Sequence, residues 1–145
     1  ITTVAAVHIE NFPSIEGIAD AKAEIFDGMA AGGIAILNRD NEFFGRLSDK
    51  AQARALTVLS FGEDAQADAR LTDCLEAANG SRVRAKIMDE ELSYVLQVPG
   101  RHIVGNSLAV LLAVKAAGGD LKKAAKALEA YEGYAGRGKR EYLDI

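Results

Sequence analysis

Cysteine, proline and tryptophan are scarce in this chain of 145 residues, which has one cysteine, two prolines and no tryptophan. A single thiol, Cys74, makes neither an internal disulfide nor a thiolate metal site, so we expect a reducing compartment, with the cytoplasm as the default location. Long apolar runs are also missing. The longest, Leu108 to Val114, is far shorter than the roughly 20 residues that cross a bilayer, so we expect no membrane span.

An excess of basic charge is absent as well. Seventeen basic residues against 21 acidic ones give a net charge of −4, the wrong sign for binding nucleic acid by counterion release. Apolar residues make up 49% of the chain, whereas glycine contributes 14 positions and proline 2, and no segment repeats. This composition disfavours disordered, collagen-like and solenoid classes and predicts about one folded domain.

The first half of the sequence alternates strand and helix patterns. The opening ITTVAAVHI is typical of a buried strand with His8 near its carboxyl end, and GGIAILN predicts another from Ile34 to Asn38. Between them, Ser14 is a plausible cap for a helix that continues to about Gly28. A short helix over residues 41 to 54 and the strands ALTVLSFG and ARLTDCLEAA follow.

The second half adds a hairpin and two helices. Arg82 to Met88 and Leu92 to Val98 flank an acidic turn. From about His102 to Ala117 apolar residues surround the helix, which predicts burial on several sides, and Asp120 caps a surface helix. A last short strand is predicted over Glu141 to Ile145. We therefore expect an α/β fold with a mixed, partly antiparallel sheet flanked by helices.

One lysine lies on the apolar face of the first predicted helix. At about 100° per residue, Lys22 shares a stripe with Ile15, Ile18, Ile25 and Met29. An ammonium held against a core is costly, so it snorkels to water, pairs with a carboxylate such as Asp20 or Glu24, or loses its proton. A neutral amine can add carbon dioxide and become a carbamate, an anion that would bind magnesium.

Three polar residues are further candidates for a site. His8 would lie at the crevice outside the carboxyl ends of the strands, although a lone histidine is more often simply hydrogen-bonded in place. His102 stands at a helix start, where capping is the alternative role. Asn106, one turn later, could satisfy that helix end, but its amide also offers the donor and acceptor that an adenine edge requires.

Four segments, in this order, carry a family resemblance. H-I-E-N-F-P-S-I-E-G-I-A-D-A-K-A-E-I-F-D-G runs from His8 to Gly28, and L-N-R-D-N from Leu37 to Asn41. P-G-R-H-I-V-G-N-S-L-A runs from Pro99 to Ala109, and Gly136-Arg137 comes near the end. Together they resemble the central ATP-binding domain of the Mur ligases of peptidoglycan synthesis and of their folylpolyglutamate synthetase relatives. The second segment departs from the family's L-N-A-D-D at Arg39 and Asn41.

The resemblance implies a set of site residues. His8 and a carbamylated, catalytic Lys22 would hold Mg²⁺. The residues that would contact ATP are Asn38, His102, Asn106 and Arg137. K-A-E-I-F and P-G-R-H look most like the ligases that add D-alanyl-D-alanine to the UDP-N-acetylmuramoyl tripeptide through an acyl phosphate. Two alternatives stay open: a member of the superfamily that adds glutamate or diaminopimelate, and a non-catalytic α/β interaction domain in which Lys22 snorkels.

The resemblance also implies that the chain is a fragment. It begins at Ile1 without methionine, and the family's phosphate loop and first domain would lie upstream. Residues 1–138 would be the second half of the central ATP-binding domain, and residues 139–145 the start of the connection to a carboxyl-terminal domain. Gly133 to Lys139 fits G-x-x-x-x-G-K, but Arg140 replaces the required Ser or Thr, so this is not the phosphate loop. The fragment alone is therefore expected to be inactive without the other domains of its enzyme.

Overall fold

A computed structural model describes residues 1–4 and 14–133, whose centre is a five-stranded sheet flanked by helices. The strands are β1 (Ile34–Asn38), β2 (Thr57–Gly62), β3 (Ala69–Ala77), β4 (Gly80–Ile87) and β5 (Glu90–Leu96). The helices are α1 (Ile15–Ala23), α2 (Phe44–Ala53), α3 (Arg101–Ala116) and α4 (Leu121–Ala130). The predicted α/β class is confirmed. Every helix among these residues is too short or too polar to cross a bilayer.

The sheet is half parallel and half antiparallel, in the order β1-β2-β3-β4-β5. Strand β1 pairs in parallel with β2, and β2 pairs in parallel with β3 through Phe61 and Gly62. Strands β3, β4 and β5 form an antiparallel meander. Because β1 and β2 run in the same direction, their carboxyl ends, at Asn38 and Gly62, open on one edge of the sheet.

Two apolar clusters hold the helices against the sheet. One joins β2 to β5 with α3 and α4, and the other joins β1 with α1 and α2. Helix α4 follows the prediction closely, because the Asp120 side chain accepts from the Lys123 amide while Leu121 and Ala125 are buried. Helices α3 and α4 both pack into the first of these clusters.

The prediction that α3 is buried on several sides is wrong. Its buried side chains share one face and are Val104, Ser107, Leu108, Leu111 and Leu112, whereas Val110 is 46% exposed. In the described part of the chain, α3 contacts the sheet and α4. An apolar sequence all round a helix does not fix how many neighbours cover it, so this error could not be seen from the sequence.

Helix α1 begins as predicted but changes its winding. The Ser14 hydroxyl accepts from the Gly17 amide at 3.1 Å, and the α-helix ends at Ala23. A 3-10 helix, Glu24–Gly28, continues the segment with fewer residues per turn. This tighter winding buries Phe26 and leaves Ile25 63% exposed, so the predicted place of Ile25 in the apolar stripe is wrong.

The opening segment is only partly described. Residues 1–4 are not assigned to a strand, but the Ile1 nitrogen donates to the Ile36 carbonyl of β1 at 2.9 Å. The rest of the predicted opening strand, with His8, lies outside the described residues, as do Arg137 and the predicted strand from Glu141 to Ile145.

Candidate functional site

A cavity of about 360 Å³ lies where the carboxyl ends of β1 and β2 meet the amino end of α3. Its apolar lining residues are Phe61, Leu71, Val104 and Leu108, and its polar ones come from the first residues, the loops after β1 and β2, and the first turns of α3. The cavity therefore combines apolar walls with polar groups that converge from several elements, as small-molecule sites do.

Three of the predicted nucleotide contacts line this cavity together: Asn38 from the end of β1, and His102 and Asn106 from the first turns of α3. Lys22 does not line it, but the Lys22 Nζ donates to the carbonyl oxygen of Thr3 at 2.7 Å, and Thr3 does line it. The fold thus brings four of the six predicted site residues to one region. The other two, His8 and Arg137, lie outside the described residues.

Lys22 is half-buried and bound to a backbone carbonyl. The alternative that it pairs with Asp20 is wrong, because the Asp20 carboxylate accepts from the Arg46 guanidinium at 2.7 and 2.8 Å and lies 3.4 Å from the Lys50 ammonium. Among residues 1–4 and 14–133, no carboxylate forms an ion pair with Lys22. Its amine therefore faces the first segment of the chain.

Asn38 and Asn41 hold the same segment. The Asn38 Nδ2 donates to the Thr2 carbonyl at 3.0 Å, and its Oδ1 accepts from the Asp40 amide at 2.9 Å. The Asn41 Nδ2 donates to the Val4 carbonyl at 3.0 Å. Side chains from α1, β1 and the loop after β1 thus fix three successive carbonyls of residues 2–4. No motif or spacing in the sequence predicts these contacts.

The two departures in L-N-R-D-N have structural roles. The Asn41 Oδ1 accepts from the Phe43 amide at 2.9 Å and so shapes the turn before α2. The Arg39 guanidinium lies 4.8 Å from the centre of the Phe44 ring and donates to Gln66 at 2.8 Å. Both residues therefore stabilise the loop in which they stand.

Asp40, the aspartate of L-N-R-D-N, joins the loops after β1 and β2. Its Oδ2 accepts from the Glu63 amide at 2.7 Å and its Oδ1 from the Asp64 amide at 3.0 Å. Gly62 has φ +148°, and a Cβ there would lie 2.5 Å from the Asp40 Oδ2. A glycine after the strand ALTVLSF was the available sequence indication that the chain is approached closely at this point.

Arg101 is a second residue whose contacts the sequence does not predict. It lines the cavity at the start of α3 and forms an ion pair with Glu63, which also lines the cavity. Its Nη1 lies 3.9 Å from the Glu76 Oε2 on β3. Both cavity-lining carboxylates, Asp40 and Glu63, are thus already bound within the protein.

The first turns of α3 are held by a side-chain contact from the sheet and not by a side-chain cap. The residue before the helix is Gly100, with φ +122°, and no side chain caps this end, so the capping role considered for His102 is wrong. From the sheet, the Tyr94 hydroxyl lies 2.7 Å from the Ser107 Oγ, which donates to the Val104 carbonyl at 2.6 Å. Because the Ser107 hydroxyl uses its proton on the Val104 carbonyl, the Tyr94 hydroxyl donates to Ser107. Burial raises the pKa of Tyr94 to about 12.

Comparisons with known proteins agree with one another. The family model of the Mur ligase middle domain matches residues 1–114. The UDP-N-acetylmuramoyl-tripeptide--D-alanyl-D-alanine ligase of Escherichia coli (strain K12) is 33% identical over 110 residues, covering 75% of this chain and 24% of that protein. MurF from Acinetobacter baumannii has a TM-score of 0.86 at 25% identity, covering 94% of this chain and 29% of that one.

A solved relative with a bound nucleotide shares the fold. MurF ligase from Thermotoga maritima in complex with ADP has a TM-score of 0.72 at 20% identity, and the match covers 90% of this chain and 29% of that chain. The chain therefore spans about a quarter to a third of the length of the relatives that it matches.

Proposed function

Since the chain belongs to the Mur ligase middle domain family, we propose that it is part of an ATP-dependent, ADP-forming ligase of peptidoglycan precursor synthesis in the cytoplasm. Its substrates would be the UDP-N-acetylmuramoyl tripeptide and D-alanyl-D-alanine, those in the name of the Escherichia coli relative. One observation carries the proposal: Asn38, His102 and Asn106, which come from two separate motifs, line one cavity at the carboxyl ends of the parallel strands.

The cavity suits the adenine of ATP. Asn106 offers an amide donor and acceptor for the base edge, and Phe61, Val104 and Leu108 supply apolar walls against which a flat base can pack. His102 and Asn38 complete the polar rim. Arg137 would steady the ribose or the phosphates, an assignment that rests on the family resemblance.

Magnesium at this edge needs an anion beyond the cavity's own carboxylates. Both oxygens of Asp40 accept backbone N–H groups, and Glu63 is paired with Arg101. The described residues contain no cluster of three or more histidine, cysteine or acidic side chains that could hold a metal ion. A carbamate on Lys22 would supply the missing negative charge.

Lys22 fits that modification. Its nitrogen lies next to the cavity, 2.7 Å from the Thr3 carbonyl, and forms no ion pair with a described carboxylate. A carbamylated nitrogen keeps one N–H, so the bond to Thr3 would survive and orient the carbamate. His8 would be the second ligand of Mg²⁺, and the bound ion would neutralise charge on the phosphates.

In the proposed reaction, an oxygen of the substrate carboxylate attacks the γ-phosphorus of ATP, and ADP leaves. The amine of the incoming dipeptide then attacks the acyl phosphate carbon, an amide bond forms, and phosphate and the amine's proton depart. The residues of this chain bind and orient the nucleotide and neutralise its charge. The sequence contains no phosphate loop, so the 145 residues alone would not catalyse the reaction.

The test is a ligation assay with the full-length product of the gene. With MgATP, UDP-N-acetylmuramoyl tripeptide and D-alanyl-D-alanine, we expect ADP release and a product heavier by the dipeptide. Release with L-alanine, glutamate or diaminopimelate and the matching precursor instead would reassign the family member. Asn106→Ala should raise the KM for ATP, whereas Asn79→Ala, an exposed asparagine beside β4, should not. No ADP release with any acceptor would overturn the proposal.

A further inference from the structure

We propose that Asp40, Glu63 and Arg101 form a positioning chain that orders the mouth of the cavity and cancels the negative charge of Glu63 there, where an anionic nucleotide would enter. Within this positioning chain of three residues, Arg101 acts through Glu63 and does not itself bind the phosphates. The inference rests on the proposed function, because it assumes that MgATP enters this cavity. It gives a role to three cavity-lining residues that carry no nucleotide or metal assignment above.

The first link joins the ends of two strands. Asp40 follows β1, and its two carboxylate oxygens accept the amides of Glu63 and Asp64, which follow β2. Hydrogen bonds to a charged acceptor are among the stronger ones in proteins, and two of them on one carboxylate fix its orientation. Gly62 lets the chain approach closely, because a Cβ there would overlap the Asp40 carboxylate. Asp40 thus sets where the Glu63 side chain begins.

The second link joins that loop to α3. The Glu63 carboxylate pairs with the guanidinium of Arg101, the first residue of the helix that carries His102 and Asn106. The side chains of this pair are 60% and 49% exposed, so the pair lies at the cavity mouth and contributes little to folding. The pair matters through its charge, because Arg101 cancels a negative charge beside the space that polyphosphate would enter.

Removing one partner of the pair should therefore change nucleotide binding in a direction that depends on which charge remains. Arg101→Gln leaves Glu63 unneutralised, and its carboxylate repels the phosphates. Glu63→Gln keeps the Arg101 cation, which still lies 3.9 Å from the Glu76 carboxylate, and does not weaken binding. The double variant carries neither charge of the pair and so restores the wild-type net charge at the mouth. A direct contact between Arg101 and phosphate would give a different result, because removing Glu63 could not replace the lost contact.

The experiment measures binding of MgATP and of adenosine to the full-length product of the gene by calorimetry. Arg101→Gln should weaken MgATP about threefold to fivefold, the scale of an exposed ion pair, and leave adenosine within twofold of wild type. The double variant, Arg101→Gln with Glu63→Gln, should return MgATP to within twofold. Raising the salt concentration should reduce the Arg101→Gln effect, because mobile ions screen exposed charges.

Two further measurements check the links. Asp40→Asn places an amide where two backbone N–H groups need an acceptor, so we expect faster hydrogen exchange at the amides of residues 63 and 64, whereas Asp120→Asn, at the cap of α4, leaves them unchanged. Glu90→Gln breaks an ion pair away from the cavity, in which the Glu90 Oε1 lies 2.7 Å from the Lys115 Nζ. This variant should leave the affinity for MgATP unaltered.

The outcomes separate this proposal from the proposed function. A wild-type enzyme that binds no MgATP refutes the function. A wild-type enzyme that binds MgATP, with a double variant as weak as Arg101→Gln, shows that Arg101 contacts the nucleotide and overturns the positioning chain. Equal affinity of Arg101→Gln and wild type for MgATP overturns it as well.

Discussion

Tyr94→Phe is expected to remove a pH-dependent part of the folding free energy. The Tyr94 side chain is buried, 2% of the residue being exposed, and burial raises its pKa to about 12 from the ordinary value of 10.0. Below pH 10 the phenol is protonated in both states. Above it, the unfolded chain loses the proton while the folded chain keeps it, so stability falls as pH rises from 10 to 12.

The size of this effect follows from the shift. Two pKa units correspond to about 2.7 kcal/mol at full development, and about half of that, roughly 1.4 kcal/mol, is lost by pH 11. At neutral pH the variant also loses the hydrogen bond to Ser107, which lies 2.7 Å from the Tyr94 oxygen. That loss should cost about 1 kcal/mol.

Urea unfolding, followed by circular dichroism at pH 8, 10 and 11, measures both terms. The variant should have a lower free energy of unfolding than wild type at pH 8. This difference should close by pH 11, because only the wild-type protein has a Tyr94 that ionises in the unfolded chain and so loses stability. Groups other than Tyr94 that titrate in this range affect both proteins and cancel in the difference. Parallel curves over the whole range would refute the reasoning that burial keeps Tyr94 protonated.

Two further substitutions test the packing around the site and the surface. Gly62→Ala places a Cβ 2.5 Å from the Asp40 carboxylate at φ +148°, so we expect a loss of about 1 to 3 kcal/mol of stability in urea unfolding, and unchanged stability would contradict the described contact. Asp20→Asn should make the free energy of unfolding less dependent on pH in acid. The hydrogen bond from Arg46 lowers the pKa of Asp20 to about 2, so its stabilising effect is lost in wild type as pH falls from about 4 towards 2. An identical acid transition in both proteins would contradict this.

Helices and strands were predictable where the apolar pattern agrees with the residues that begin or end an element. Strand β1 has the predicted bounds, Ile34–Asn38, because an apolar run is enclosed by glycines and by a polar turn. Helix α4 begins after Asp120 for the same kind of reason, a side-chain cap before an apolar stripe. The change of winding after Ala23, which exposes Ile25, has no comparable local marker.

The candidate site was predictable in its residues and not in its contacts. Asn38, His102 and Asn106 were identified from the family motifs, and they line one cavity. The roles of Asp40 and of the backbone carbonyls depend on which loops meet in space. Every residue has a backbone carbonyl, so the sequence does not show which carbonyl will accept a hydrogen bond. For that reason the sequence predicts a carboxylate or water as the partner of a charged Lys22, whereas the structure shows the Thr3 carbonyl.

The central claim is that the amine of Lys22 becomes an anion that holds magnesium for the ligation, and the ligation rate of Lys22 variants tests it most directly. In the full-length enzyme, Lys22→Ala should abolish the reaction, and short-chain carboxylic acids, without added bicarbonate, should restore part of it. Lys22→Arg, which keeps the positive charge but cannot carry the carbamate, should be as inactive as Lys22→Ala. A Lys22→Ala enzyme that joins its substrates at the wild-type rate would contradict the account.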